Sequence, residues 1–169
     1  MIILAFFVAA NCLIPPVSGA VVYPYVEPSC EFCAGHRTID FEQTEGREVI
    51  APVAGSITFA GVVVGQQFVT IDPDPKSGFG PDVVVTVGGL VRDPTVKSGV
   101  AVQAGQALGT ADGLIHLSMR YIVEGRPARY VDPTPFLARR RSRVRLIPNS
   151  RIGGRRTSSQ LLCSTSIGR

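Results

Sequence analysis

Histidine occurs only twice in these 169 residues, and both copies stand where they could do chemistry. His36 lies in the run CAGHRTIDF, four residues before Asp40, and His116 lies in an alternating apolar run, LIHLSMRYIV. Two imidazoles and a carboxylate make a minimal protein ligand set for a zinc ion that keeps one coordination position open. A zinc ion held that way polarises a carbonyl and activates water, which is hydrolytic chemistry. If both histidines are spent on such a site, none is left to act as a general acid or base.

Spacing alone leaves each residue two roles. In an extended strand, residues two apart share a face, so Leu114, His116 and Ser118 lie together, with Ile115 and Leu117 opposite. A histidine between apolar neighbours also serves as a hydrogen-bonded core residue. Four residues of extended chain span roughly 13 Å, so His36 and Asp40 meet only across a turn or bulge. The segment His36-Arg37-Thr38-Ile39-Asp40, next to Gly35, can make one.

The elements that must position these side chains read as strands. From Glu45 to Asp74 the chain alternates β-rich runs with turns at Gly55, Gly61 and Gly65. Residues 73–81 form a loop, 82–91 a β-branched strand ending in Gly88-Gly89, and the run through His116 a further strand. With 18 glycines, 13 prolines and few places for a long helix, the chain is expected to be all-β, a single compact antiparallel sandwich- or barrel-like domain.

The ends differ in character from the middle. Residues 1–20, MIILAFFVAANCLIPPVSGA, read as a signal peptide with a small-x-small end at Ser18-Gly19-Ala20, although no Lys or Arg precedes the apolar run. If it is retained, the segment reads as a membrane anchor or a buried strand, and Pro15 and Pro16 oppose an uninterrupted membrane helix. The domain is expected over 21–137, and 138–169 is expected to be a disordered Arg-rich tail. All 13 acidic residues lie between Glu27 and Asp132, while nine arginines lie from Arg139 onward. The formal charge of +4 therefore divides into −5 before residue 139 and +9 after it. Such a tail meets a polyanion: anionic wall polymers or lipid head groups outside the cell, nucleic acid inside it. Cys30 and Cys33 form a tight disulfide, a redox pair or half of a metal site, and a second half of a four-cysteine zinc site is missing.

In order along the chain, GHRTIDF, VIAPVAGSITFAG, VKSGVAVQAGQALG, IHLSMR and YVDPTPFL resemble the lysostaphin/LytM-type zinc metalloendopeptidases over about residues 30–137. That family opens on GHxGxDF, which supplies a zinc histidine and aspartate, and closes on an HxH strand whose second histidine is the third ligand. The resemblance implies zinc on His36, Asp40 and His116, a compact β domain, and peptide cross-bridges or stems of bacterial peptidoglycan as substrate. An exported chain would meet that substrate, with no nucleic acid partner expected.

Three departures matter. Leu114 stands where the first histidine of HxH is expected. In TVGGL, Gly89 stands where a run like TxYxHL would place another. Thr38 takes a usual glycine position. The two missing histidines are the ones that orient water and stabilise the tetrahedral intermediate in the family. Loss of one oxyanion donor costs roughly 100- to 1,000-fold in rate, and loss of a general base costs a similar factor. The resemblance therefore implies a ligand set with impaired or absent catalysis, unless Ser118, Arg120 or Tyr121 substitutes. APVAGSITF and VAVQAGQALG also resemble biotinyl and lipoyl carrier hairpins. Lys76 and Lys97, the only lysines, lack the setting such a carrier needs.

Overall fold

The computed structural model describes residues 11–30, 33–42, 45–122, 124–141 and 160–162. The strands run in chain order: β1 (Val21–Tyr23), β2 (Ile39–Phe41), β3 (Glu48–Ile50), β4 (Gly55–Val63), β5 (Gln66–Pro73), β6 (Val83–Arg92), β7 (Ala101–Val102), β8 (Ala107–Tyr121), β9 (Arg129–Val131), β10 (Arg139–Arg141) and β11 (Gln160–Leu162). Nine of them form one antiparallel sheet in the order β1-β2-β8-β6-β5-β4-β7, with β3 and β9 also paired to β8. No α-helix occurs among the described residues, only two short 3-10 turns. The all-β expectation is met.

The 15-residue β8 carries the architecture, because β2, β3, β6 and β9 all pair with it. Side chains alternate along each strand, so one face of the sheet is apolar and the other mixed. Ile39 and Phe41 of β2, Val69 and Ile71 of β5, Val83, Val85 and Val87 of β6, and Ile115, Leu117 and Met119 of β8 belong to one buried cluster. Their cross-strand neighbours in the alternate register make up the opposite face. There one row runs Phe68–Gly88–His116–Asp40, and the next runs Thr70–Thr86–Ser118. The Thr70 and Thr86 hydroxyls are 2.9 Å apart. Polar groups are thus gathered on the face that the core does not use.

The lead-in is built into this body. Leu13 and Val17 are buried in the core cluster. Leu13 forms a parallel bridge with Leu137, its N–H donating to Phe136 O at 2.7 Å, and the Ala138 N–H donates to Leu13 O at 2.8 Å. Farther along, the Ile50 N–H donates to Pro16 O and the Ile14 N–H to Pro52 O, each at 2.8 Å. The second half of the segment read as a leader is therefore a structural strip of the domain; residues 1–10 lie outside the described residues. Cleavage at Ala20 would take Leu13 and Val17 out of the core.

The tail also carries order where it is described. β10 pairs antiparallel with β11, with Arg139 opposite Leu162 and Arg141 opposite Gln160. Over those six residues the expected disordered tail is a two-stranded ladder; 142–159 and 163–169 lie outside the described residues. Cys30 and Cys33 are joined as a disulfide, the first of the three arrangements their spacing allowed. Cys12 is disulfide-bonded as well.

Candidate metal centre

The chain brings its two histidines together on one carboxylate. Asp40 is opposite His116 across the β2–β8 ladder, which sets Asp40 Oδ1 2.8 Å from His116 Nδ1. His36 precedes β2 and is held by an isolated antiparallel bridge to Val26, whose N–H donates to His36 O at 2.9 Å. Residues 37 and 38 lie outside any strand, and the chain there turns enough to place His36 Nε2 3.1 Å from Asp40 Oδ2. This is the turn that the four-residue spacing required. Gly35 makes the approach possible, because a Cβ there would lie 2.6 Å from the Pro28 ring.

The surroundings of Asp40 are those of a satisfied buried anion. Its side chain is 6% exposed, against 34% for His36 and 20% for His116. A buried carboxylate is costly unless donors surround it. Here Thr38 Oγ1 donates to Oδ1 at 2.6 Å, with His116 on the same oxygen and His36 on the other. Pro24 O lies 2.8 Å from His36 Nδ1. A carbonyl oxygen only accepts, so Nδ1 carries the hydrogen. Nε2 then faces Asp40 Oδ2 and, at 3.1 Å, Thr38 Oγ1, whose proton is already given to Asp40. Facing two sets of lone pairs, Nε2 makes an attractive contact only with a positive species between: a proton on the nitrogen, or a metal ion.

The donor types suit zinc, and a backbone carbonyl on the distal ring nitrogen is the usual orientation device for a zinc histidine. The arrangement does not suit it. Tetrahedral zinc at 2.0–2.2 Å sets neighbouring donors about 3.3 Å apart around one point. Here the two imidazoles sit on different carboxylate oxygens, and the Thr38 hydroxyl stands within hydrogen-bond reach of both His36 Nε2 and Asp40 Oδ1. Among the described residues no group of three or more His, Cys, Asp or Glu converges so as to hold a metal ion.

The positions of the two absent histidines are now physical places. Leu114 shares the His116 face and is half-buried. Gly89 lies at a register shift between Gly88 and Leu90, opposite β8, with φ +82°. A Cβ at Gly89 would fall 2.1 Å from Leu114 O and 3.4 Å from His116 Cδ2. Position 89 does abut the cluster, but this backbone admits no side chain there. Ser118 is buried, two residues along the same face, and its cross-strand partner is Thr86. Arg120 follows at the same spacing, and Tyr121 is 39% exposed at the end of the strand. Neither Ser118 nor Arg120 nor Tyr121 donates a hydrogen bond to the Asp40 cluster.

A cleft of about 540 Å³ lies beside these residues without including them, lined by Tyr25, Glu27, Arg37, Arg129 and Tyr130 among others. The Arg37 guanidinium stands 5.8 Å from the Tyr130 ring centroid, and Tyr25 donates to Tyr130 O at 3.2 Å. Burial, with Glu27 and Asp132 adding to it, pushes the Tyr25 hydroxyl above its ordinary pKa. Sequence reading did not find this cleft, because Tyr25, Arg37 and Tyr130 are far apart in the chain and carry no motif.

The fold can be set beside solved structures. The catalytic domain of the antimicrobial peptidase lysostaphin from Staphylococcus simulans superposes with a TM-score of 0.53 at 22% identity, over 70% of this chain and 91% of that domain. This is the fold of the lysostaphin catalytic domain. Helicobacter pylori Csd3 superposes over 90% of this chain at TM-score 0.59 and 16% identity, and this chain spans only 37% of the Csd3 chain. A chain of the SpoIIQ–SpoIIIAH pore-forming complex matches over 75% of this chain and 90% of its own length, at TM-score 0.54 and 16% identity. No protein-family model matches the sequence, and no curated protein matches it.

Proposed function

We propose that this chain is a peptidase-fold binding module of the bacterial cell envelope that docks peptidoglycan peptides on the mixed face of its sheet without cleaving them. One observation carries the reading. The Asp40 carboxylate is engaged internally by His36, Thr38 and His116, while the two neighbouring positions that would supply catalytic imidazoles hold Leu114 and a glycine that tolerates no side chain. Activating water calls for a general base beside the site, and the two positions where the resemblance expects one hold Leu114 and Gly89.

Three further observations support it. The fold is shared with an antimicrobial peptidase and with a chain of a pore-forming complex, so it serves outside hydrolysis as well as within it. The Cys30–Cys33 disulfide fits an oxidising, exported setting. The nine arginines from Arg139 onward suit anionic wall polymers or lipid head groups. In this reading the protein acts outside the cytoplasm with residues 11–20 kept in the domain, and zinc is not required.

The test is a sacculus assay with the full chain. Purified peptidoglycan of several cross-bridge types is incubated with the protein, pelleted, and both fractions are analysed. The protein should pellet with the wall, and no soluble muropeptides should appear above the no-protein control. Fragment release that disappears in His36→Ala would sink the reading and restore the hydrolase.

A further inference from the structure

We propose that Thr38 is the residue that closes the His36–Asp40–His116 cluster and makes it a metal-independent hydrogen-bond unit rather than a zinc site. The proposal rests on the non-hydrolytic reading above and deepens it at the same residues.

Thr38 bridges two of the three groups of the cluster. Thr38 Oγ1 lies 2.6 Å from Asp40 Oδ1 and 3.1 Å from His36 Nε2, so a single hydroxyl touches both groups that a metal would have to join. Its one proton goes to the carboxylate, and its lone pairs face the imidazole. The remaining contacts run from His36 Nδ1 to Pro24 O, from His36 Nε2 to Asp40 Oδ2, and from His116 Nδ1 to Asp40 Oδ1 beside the Thr38 hydroxyl. A network anchored on a buried carboxylate resists replacement, because a newcomer that displaces a donor to Asp40 must make good that bond. To enter, a metal ion must come between the imidazoles and Asp40 and push aside the hydroxyl that bridges two of its ligands. Without an oxygen at Cβ, residue 38 would leave Asp40 Oδ1 one donor short and open space beside His36 Nε2. The polar side chain two residues before Asp40 thus sets what the cluster accepts.

The test measures zinc binding by the full chain and by Thr38→Ala, Thr38→Gly and Thr38→Ser. Each protein is stripped with chelator, loaded with zinc chloride, desalted and assayed for metal content, with calorimetric titration beside it. The wild type and Thr38→Ser should retain well under one zinc per chain. Thr38→Ala and Thr38→Gly should bind about ten- to a hundredfold more tightly, the effect of removing one hydrogen bond to a charged group. That gain should vanish on adding His116→Ala. One zinc per wild-type chain, lost in His36→Ala, would overturn the proposal, as would equal affinities across the Thr38 series. Because a substituted chain could fail to fold, wild-type imidazole ¹H–¹⁵N resonances supply a second measurement. Resonances of His36 and His116 that stay unchanged up to equimolar zinc support the closed cluster, and displaced resonances refute it. Zinc uptake without muropeptide release would end this proposal and leave the binding-module reading standing; uptake with release would end both.

Discussion

Asp40 does the most work of any single residue, because two imidazoles and a hydroxyl are arranged around it. Its substitutions separate charge from hydrogen bonding. In Asp40→Ala the imidazoles and Thr38 lose their common partner inside a largely buried site, which should cost about 3 kcal/mol in urea-unfolding free energy. Asparagine is different. Its Oδ1 can keep Thr38 and His116, and its NH2 can donate to a neutral His36 whose Nδ1–H stays on Pro24 O. Asp40→Asn should therefore stay within about 1 kcal/mol of the wild type. Equal losses in the two variants would mean that the carboxylate charge, not the pattern of donors, holds the cluster. The same residues mark what could be read from the chain. His36, Asp40 and His116 were legible as a set because motif order named them, and the structure does gather them. The part played by Thr38 was not, because a departure from a glycine position does not say where the hydroxyl points.

Two turns at the element scale show how backbone geometry limits the chemistry. Restoring a histidine at position 89 is the obvious way to rebuild a catalytic site, yet the register shift in β6 holds Gly89 at φ +82° against Leu114 O. Even Gly89→Ala should lose about 2 kcal/mol or more, read as a lower melting temperature, and Gly89→His should fare no better. A variant that melts with the wild type would show that the β6–β8 pairing can relax. The β4–β5 hairpin presents the reverse case. Val63 pairs with Gln66, so Val64-Gly65 is a two-residue turn with φ +48° and +82°, and Val64 is 99% exposed. A β-branched residue is strained there, and such turns favour Asn-Gly. Val64→Asn should raise stability by about 1 kcal/mol in the same urea titration. The strands were readable from alternation and glycine punctuation, since burial on one face imposes a period of two. The sign of φ at Gly89 was not, because a glycine in sequence marks freedom without saying how it is used.

At the scale of the whole molecule, the question is what residues 11–20 contribute. An apolar run closed by Ser-Gly-Ala reads the same whether it is removed or packed, because composition records hydrophobicity and not the neighbour that covers it. The structure supplies the neighbour. Leu13 is fully buried and Val17 nearly so. The segment ties β3 through Pro16 O, the loop at Pro52 through the Ile14 N–H, and the end of the domain through Leu13. Arg47 adds a side-chain bond to Ser18 O at 2.7 Å, and the Glu42 N–H donates to Ala20 O one residue beyond β2. Burying two aliphatic side chains is worth about 1.5–3 kcal/mol each, against a total stability of about 5–15 kcal/mol for a domain. A chain beginning at Val21 should therefore lose about a third or more of its unfolding free energy, and should expose the apolar floor under Leu137. Leu13→Ala in the full chain should by itself cost about 2–5 kcal/mol. The two together are diagnostic, since the point variant alters packing while leaving every backbone bond of the strip in place. If the truncated chain unfolds at the same urea concentration as the full one, the strip rests on a domain that does not need it. If instead both variants fall, the strip is part of what keeps the domain folded, and the Glu42 N–H bond to Ala20 O ties it directly beside the strand that carries Asp40.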